Sequence, residues 1–339
     1  MSNSEDEITI PPTTKQIKLS DRENEDRLSD LPESVILHIL SFLNAQHAVQ
    51  TCVLSPRFKD LWKRLPVLKL HYRDFRTYKI FTKFVSKILS LRDSSITLEA
   101  LDFNRHIGRL EPHILKRIVN YAIKHNIQRL RLNVTSDIAL IPTSLFSFQS
   151  LTHLKLSVYS DAESKTQFPN SLSLPALTYL KLCMHSNHEN LFPDSLDLPA
   201  LTSLHLQNFT FSVGDNDRAE PFSTFNRLNS LLISNCTVRD TQTLCMSSAT
   251  LVNLTLYDNN KYSCYKIDLL TPSLCTFAFC GTPYQRILGS DISSLKYVDI
   301  HAEVDSDCRD MPPLFLLSWL VEFADIKSLT VTATTLQVL

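Results

Sequence analysis

The sequence predicts an α/β protein in which a small all-α domain precedes a long solenoid of parallel strands. Three observations lead to this prediction. The pattern Leu-x-x-Leu-x-Leu recurs at intervals of about 24 residues, and a fixed period of this size is typical of a solenoid. Two successive repeats, which begin at Phe168 and Phe192, align without gaps over 15 residues. Residues 27–65 carry apolar residues at helical spacing instead.

The apolar triplet marks eleven repeats along the chain. Their starts are Leu65, Leu98, Ile127, Leu151, Leu177, Leu201, Leu228, Leu251, Leu274, Leu295 and Ile326. Most gaps between them lie in the range of leucine-rich repeats, roughly 20–29 residues. We expect each triplet to form a short strand whose leucines point inward while alternate residues face outward. The parallel strands would line the concave face, with helices or irregular turns outside.

The connections between the strands are predicted to change along the chain. Two long connections carry apolar residues at helical spacing, around Phe81–Leu89 and Ile114–Ile123. Later connections are short and contain proline, as in the residues that follow Phe168 and Phe192, and this composition favours extended or turn structure. The outer face should therefore change from helical to irregular.

Residues 27–65 are predicted to form three short helices. Asp30 and Glu33 suggest a capping box at the first helix, with Pro32 in its first turn. A second helix would run through Ala48–Val53, and a third would begin at Ser55. A unit of about 40 residues is near the lower limit for independent folding. With this many large apolar residues it should expose some of them to a partner; a helical cap on the solenoid is the alternative.

Composition limits the possible functions. The formal net charge of -1 argues against a nucleic-acid-binding surface, which needs a basic excess. No apolar run approaches the roughly 20 residues that span a bilayer, and the N-terminus lacks the features of a secretory signal. We therefore expect an intracellular protein, in the cytoplasm, the nucleus or both, that binds neither nucleic acid nor membrane. Residues 1–25 are polar and are predicted to be a disordered tail.

Residue types typical of catalytic and cofactor sites are sparse. The four glycines lack the spacing of a phosphate-binding loop, and the eight cysteines include no C-x-x-C pair, so we interpret them as small buried residues of a reducing compartment. His185 and His188 have no Cys or acidic partner at zinc spacing and are interpreted as part of a polar surface loop. We expect no cofactor, no metal and no enzymatic activity.

The helical unit resembles a known domain. The segments Leu31-Pro-Glu-Ser-Val-Ile-Leu-His-Ile-Leu-Ser-Phe-Leu43 and Ala48-Val-Gln-Thr-Cys-Val-Leu-Ser-Pro-Arg-Phe-Lys-Asp-Leu-Trp62 resemble the F-box. With the repeats, the chain is similar to the plant F-box/leucine-rich-repeat (FBD-associated) family. The resemblance implies an F-box domain at 26–70 and a substrate-binding solenoid at 65–339. Many members continue into a further C-terminal domain, so we expect a shortened form, or a partner at the last repeat.

The resemblance also implies a function. In that family the F-box binds a Skp-type adaptor, which connects it to cullin and RING subunits of a ubiquitin ligase, and the repeats recruit a protein substrate. The matching adaptor-contact positions are Leu31, Pro32, Ile36, Ile39, Leu40, Leu43, Val53, Leu54 and Trp62. Two alternatives are a small-molecule (hormone) co-receptor of the leucine-rich-repeat type and an adaptor-binding scaffold without ligase activity.

A candidate substrate surface follows from strand alternation. The outward positions of four successive repeats bring together Arg129, Arg131, His153, Lys155, Tyr179, Lys181 and His205, since neighbouring strands lie about 4.8 Å apart. This basic surface, which contains one tyrosine, is predicted to bind an acidic or phosphorylated segment of the substrate. The alternative is an ordinary solvated face, because charged residues commonly occupy exposed strand positions.

Overall fold

The computed structural model describes residues 30–160, 168–186, 188–193, 195–212, 218–239, 243–258, 265–303, 315–323 and 325–338. The predicted tail at 1–25 and the predicted domain start at 26–29 lie outside the described residues. Helices α1 to α6 span Glu33–Ser41, Ala45–Gln50, Tyr78–Leu91, Pro112–Lys124, Leu316–Glu322 and Ala333–Val338. Strands β1 to β18 span Val67–His71, Ala100–Arg105, Arg129–Thr135, His153–Tyr159, Ser171–Ser173, Tyr179–His185, Ser195–Asp197, Ser203–Gln207, Thr210–Phe211, Ser230–Ser234, Thr237–Val238, Thr243–Ser247, Asn253–Asp258, Lys266–Leu270, Thr276–Gly281, Arg286–Asp291, Tyr297–Ala302 and Ser328–Val331.

The main sheet confirms the predicted repeats. It contains eleven parallel strands in the order β1-β2-β3-β4-β6-β8-β10-β13-β15-β17-β18. Each of these strands begins two residues after one of the predicted repeat starts. Inward leucines lie in lateral register, as in Leu130, Leu154, Leu180 and Leu204, and all four are buried. The alternating burial arises because successive side chains of a strand point to opposite faces.

The outer face begins with helices as predicted, but short regular strands then replace the irregular structure that was predicted for the later connections. Amphipathic helices α3 and α4 cover the first repeats. The proline-containing connections form the short parallel pair β5 and β7, and a three-stranded sheet, β12-β14-β16, follows. Helix α5 then contacts β16. The outer layer near the end of the described chain is therefore helical again, which the predicted trend does not include.

The N-terminal domain departs from prediction at three places. The predicted second helix through Val53 is α-helical only to Gln50 and continues as a 3₁₀ turn over Thr51–Val53. Pro32 occupies the N-cap position of α1 and no side chain caps this helix. The predicted capping box of Asp30 and Glu33 is wrong, because the Glu33 carboxylate instead pairs with Arg64. The predicted third helix is divided into two 3₁₀ turns, Pro56–Phe58 and Leu61–Arg64.

The core is continuous from the helical domain through the repeats. A chain of aromatic contacts crosses the two near-copied repeats, because the Phe209 ring lies 5.7 Å from both Phe168 and Phe192, edge to face. Phe168 and Phe192, which begin these two repeats, therefore both contact the Phe209 ring. Such contacts stabilise a core beyond the area that they bury.

Side-chain hydrogen bonds attach the helical domain to the first repeat. The buried guanidinium of Arg92, just after α3, donates to the carbonyl oxygens of Leu65 (2.9 Å) and Ile96 (3.0 Å), and at longer range to those of Asp93 and Thr97. Asn44 Nδ2 donates to Asp74 Oδ2 at 2.8 Å. These contacts and the shared core hold the helical domain against the solenoid.

Candidate protein-binding surfaces

The helical domain exposes five large apolar side chains, which we name the apolar set: Val35, Ile39, Phe42, Val53 and Leu54. The first three lie at i, i+4 and i+7, on or just after α1, and therefore share one side of the helix. The other two lie at the end of the 3₁₀ turn that follows α2. Val53 is 87% exposed and Phe42 68% exposed. A domain of this size that exposes so much apolar surface is typical of one that binds a partner.

The predicted adaptor residues occupy three environments. Pro32, Ile39, Val53 and Leu54 are exposed, and Leu31 and Leu43 are half-buried. The other three require a correction, since Ile36, Leu40 and Trp62 are at most 8% exposed. These three pack in the core of the domain, so they support the surface from beneath and do not form part of it.

Two members of the apolar set, Val35 and Phe42, are absent from the predicted adaptor residues. The helical spacing of Val35, Ile39 and Phe42 could have identified them, because it defines a second apolar side beside the buried one. Phe42 is also held in place, since its ring packs edge-on against His38 at 4.9 Å. Its carbonyl oxygen accepts a hydrogen bond from Lys69 Nζ at 3.0 Å, so the backbone at Phe42 is connected to β1.

The seven predicted substrate residues do lie together on one face of the sheet. In one row Arg129, His153 and Tyr179 are register neighbours. In the adjacent row the register neighbours are Arg131, Lys155, Lys181 and His205. We call these seven residues the basic strand face. Their side chains are exposed or half-buried, so all of them are accessible to a ligand.

The two arginines of this face contribute less charge than predicted. Arg129 Nη2 lies 3.3 Å from Glu99 Oε2, and Arg131 Nη1 lies 3.7 Å from Asp102 Oδ2. Extending the outward row back by one repeat would have identified Asp102. Among the described residues no carboxylate forms an ion pair with Lys155 or Lys181. The positive charge of the face is therefore concentrated on these two adjacent lysines.

The two histidines of the face are neutral at pH 7. Burial, and then the charges of Lys181 and Lys155, lower the pKa of His205 to about 4. The pKa of His153 is also lowered, first by burial and then by Arg129 and Lys155. The His153 ring stacks on Tyr179 at 5.9 Å, and Lys155 Nζ lies 5.2 Å from the centre of the Tyr179 ring. Both histidines were predicted as basic, but they act as uncharged polar groups.

The lowered pKa of His205 predicts that the free energy of unfolding depends on pH. His205 has a lower pKa in the folded chain than in the unfolded chain, whose histidines have a pKa of about 6.5. The unfolded state therefore binds more protons, and the free energy of unfolding falls as the pH falls from 7 towards 4. We expect His205→Gln to reduce the difference in unfolding free energy between pH 7 and pH 5, measured by urea denaturation.

The control for this measurement is His47→Gln, at an exposed histidine of α2. It should leave the pH dependence close to that of the unmodified chain. An unchanged pH dependence in His205→Gln would show that the His205 imidazole titrates normally and that the basic strand face gains charge in mild acid.

Other predicted groups have plain structural explanations. His185 is the last residue of β6 and stacks on Tyr159 at 4.1 Å, so its assignment to a surface loop is wrong, whereas His188 is exposed. Of the described cysteines, Cys183, Cys236 and Cys245 are buried as predicted, and the other three are half-buried. No helix among the described residues is long and apolar enough to cross a bilayer.

Comparison with known proteins identifies the helical domain. Residues 28–70 match the F-box domain family. A putative FBD-associated F-box protein of Arabidopsis thaliana is 31% identical over a match that covers 48% of this chain and 35% of the relative. An F-box/FBD/LRR-repeat protein of the same plant is 34% identical, over 44% of this chain and 39% of the relative.

The chain thus spans little more than a third of the length of these two relatives. A longer match is with an FBD-associated F-box protein of Arabidopsis thaliana, 25% identical over 92% of this chain and 72% of the relative. The F-box match covers the helical domain that exposes the apolar set. The parallel strands that follow this domain along the chain recur with the period of leucine-rich repeats. The helical domain thus matches the F-box family, and the chain is similar to plant F-box/leucine-rich-repeat (FBD-associated) proteins.

Proposed function

We propose that the chain is the substrate-recognition subunit of a Skp–cullin–F-box ubiquitin ligase. The helical domain, at 26–70, binds a Skp-type adaptor, and the solenoid, at 65–339, recruits a protein for ubiquitination. The observation that carries this proposal is the apolar set, which lies on a domain that matches the F-box family. Cullin and RING subunits join through the adaptor, and the chain itself catalyses no reaction.

The adaptor surface consists of the exposed and half-buried predicted residues together with Val35 and Phe42. Large apolar side chains that are exposed in the free protein gain most from burial at an interface, at roughly 25 cal/mol for each Å² removed from water. The buried side chains of Ile36, Leu40 and Trp62 fix the backbone that presents them.

The attachment of the helical domain to the first repeat supports the division of roles. The hydrogen bonds of Arg92 and Asn44 and the continuous core hold the adaptor surface in a fixed position relative to the strand face. A ligase subunit needs this property, because the substrate must be held at a defined position relative to the ubiquitin-carrying subunits. A flexible linker would allow a broad distribution of distances instead.

Adaptor capture tests the proposal. We expect the double substitution Val53→Asp with Leu54→Asp to reduce capture of a Skp-type adaptor at least about 100-fold, since two charges would be buried without partners at the interface. Both side chains are exposed, so the thermal unfolding midpoint should change little. The measurement is affinity purification of the full chain co-expressed with adaptor and cullin.

A matched control is Leu317→Asp with Val321→Asp on α5. These residues are 63% and 75% exposed and lie at the other end of the solenoid, so adaptor and cullin should remain bound. Retention of the adaptor by the Val53 and Leu54 variant would contradict the proposed adaptor surface. Adaptor capture without ubiquitination of any bound protein in a reconstituted ligase would contradict the substrate-recognition role and favour a scaffold.

A further inference from the structure

We propose that the strand face binds an extended substrate segment with a fixed order of chemistry: an acidic group at one end, apolar side chains in the middle and a basic group at the other end. The segment lies across the strands, from Lys155 and Lys181 to Asp299. This inference rests on the proposed function, because it specifies what the recruited protein presents to the solenoid.

The acidic end is set by the two adjacent lysines. Lys155 on β4 and Lys181 on β6 are register neighbours in the same outward row, and no described carboxylate forms an ion pair with either. Tyr179 lies beside Lys155 and offers a ring surface next to the charges. Two such ammonium groups, about 4.8 Å apart at the backbone, provide a site for a carboxylate or a phosphate.

The middle of the same row has no charge. After His205 the row continues through Leu232, Thr255 and Ala278 in direct lateral register. These three side chains are short or apolar and half-buried. Two exposed tyrosines lie on the strands next to Ala278. Tyr257 on β13 is 43% exposed, and Tyr297 on β17 is 50% exposed.

The two tyrosines are offset to opposite sides of the row. Tyr257 pairs laterally with Cys280, two residues after Ala278, whereas Tyr297 pairs with Thr276, two residues before it. A small side chain between two exposed rings leaves room for an apolar side chain of a ligand. Tyrosine also supplies a large contact area with few rotatable bonds.

The basic end of the segment is set by Asp299, which follows Ala278 in the row. Its side chain is 46% exposed, and His301 Nε2 lies 3.1 Å from its Oδ1. The carboxylate thus remains accessible to a cation from a ligand. The row changes from cationic at β4 and β6 to anionic at β17, with neutral positions between them.

The pKa shifts of two groups on the face agree with this change from positive to negative charge along the row. The positive charges of Lys181 and Lys155 contribute to the lowered pKa of His205, after burial. At the other end the pKa of Cys280 is raised, first by burial and then by Glu303 and Asp299. The electrostatic potential is therefore positive at one end of the row and negative at the other.

The dimensions fit a short extended segment. Five strand spacings separate β6 from β17, or about 24 Å at about 4.8 Å per spacing. An extended chain rises about 3.4 Å per residue, so roughly seven residues connect the two charged ends. Charge complementarity at both ends favours one direction of binding over the other.

Synthetic peptides test the order of groups. The probes are blocked nonapeptides with two glutamates at one end, apolar residues in the middle and two lysines at the other, made in both chain directions, and permuted peptides with all charges at one end. Binding to the full chain, co-purified with its adaptor, is measured by fluorescence polarisation. We expect one direction to bind about fivefold or more tightly than the permuted peptides, or about 1 kcal/mol.

A charge exchange on the protein makes the test specific. Lys155→Glu, Lys181→Glu and Asp299→Lys together should transfer the preference to the peptide of opposite direction. The matched control is Lys83→Glu, Lys87→Glu and Asp325→Lys, which makes the same charge changes at exposed positions outside the strand face and should leave the preference unchanged.

Equal binding of ordered and permuted peptides, or no binding of any peptide, would overturn the inference. So would a preference that does not follow the charge exchange. Adaptor capture is measured on the same preparations and stays intact in each of these cases. Its failure in the unmodified chain would instead contradict the proposed function.

Discussion

Arg92→Ala is expected to lower the free energy of unfolding by about 3 kcal/mol. The buried guanidinium donates to four carbonyl oxygens around the junction between the helical domain and the first repeat. Alanine would leave these oxygens without their donor in a region that excludes water, and an unsatisfied buried polar group costs about 1–3 kcal/mol. Urea denaturation monitored by circular dichroism measures the change.

Two further variants test whether the hydrogen bonds of Arg92 account for the loss of stability. Arg92→Lys should recover little stability, because one ammonium group cannot reproduce the planar fork that serves several carbonyl oxygens. Arg76→Ala, at an exposed arginine just before α3, should change the unfolding free energy by less than about 0.5 kcal/mol. If Arg92→Ala were as mild as this control, the hydrogen bonds of Arg92 would not stabilise the junction.

Phe209→Ala is expected to lower the free energy of unfolding by about 4 kcal/mol. Its ring is 1% exposed and contacts both Phe168 and Phe192, so its removal leaves a cavity between the two near-copied repeats. Because each repeat of a solenoid contacts mainly its neighbours, the loss should be local. Hydrogen exchange should increase most at the amides of β6 and β8.

Phe209→Leu should lose less stability, since leucine fills part of the cavity. Ile107→Ala serves as a surface control, because Ile107 is exposed, and should cost less than about 0.5 kcal/mol. An increase in exchange spread evenly over all the strands would contradict the local response and indicate that the solenoid unfolds as one cooperative unit.

The repeat pattern predicted the main sheet well. All eleven strands begin at a constant offset from their predicted starts, because a buried leucine pattern leaves only one register in which the apolar residues face the core. The same alternation placed Arg131, Lys155, Lys181 and His205 in one row. The exposed apolar surface of the helical domain was predicted less completely, since Phe42 and Val35 were absent from the predicted residues and three buried core residues were included.

These errors share a physical origin. A stripe of apolar residues on a short helix predicts that one side is buried, but which side meets the core depends on the helices that pack against it. Glu33 fits a capping box by sequence spacing, yet its carboxylate pairs with Arg64, 31 residues away. Local spacing cannot predict such a contact.

Sequence alone establishes the parallel strands, the direction of their side chains and the kinship of the helical domain, because these depend on periods and motifs within short segments. Tertiary packing decides which apolar side chains remain exposed and which charges on the strand face stay unpaired. Arg131 is paired because Asp102 lies on the neighbouring strand, and His205 is neutral because burial and two lysines oppose its protonation. Electrostatic and burial energies depend on distances across the sheet, between residues that are one repeat or more apart along the chain.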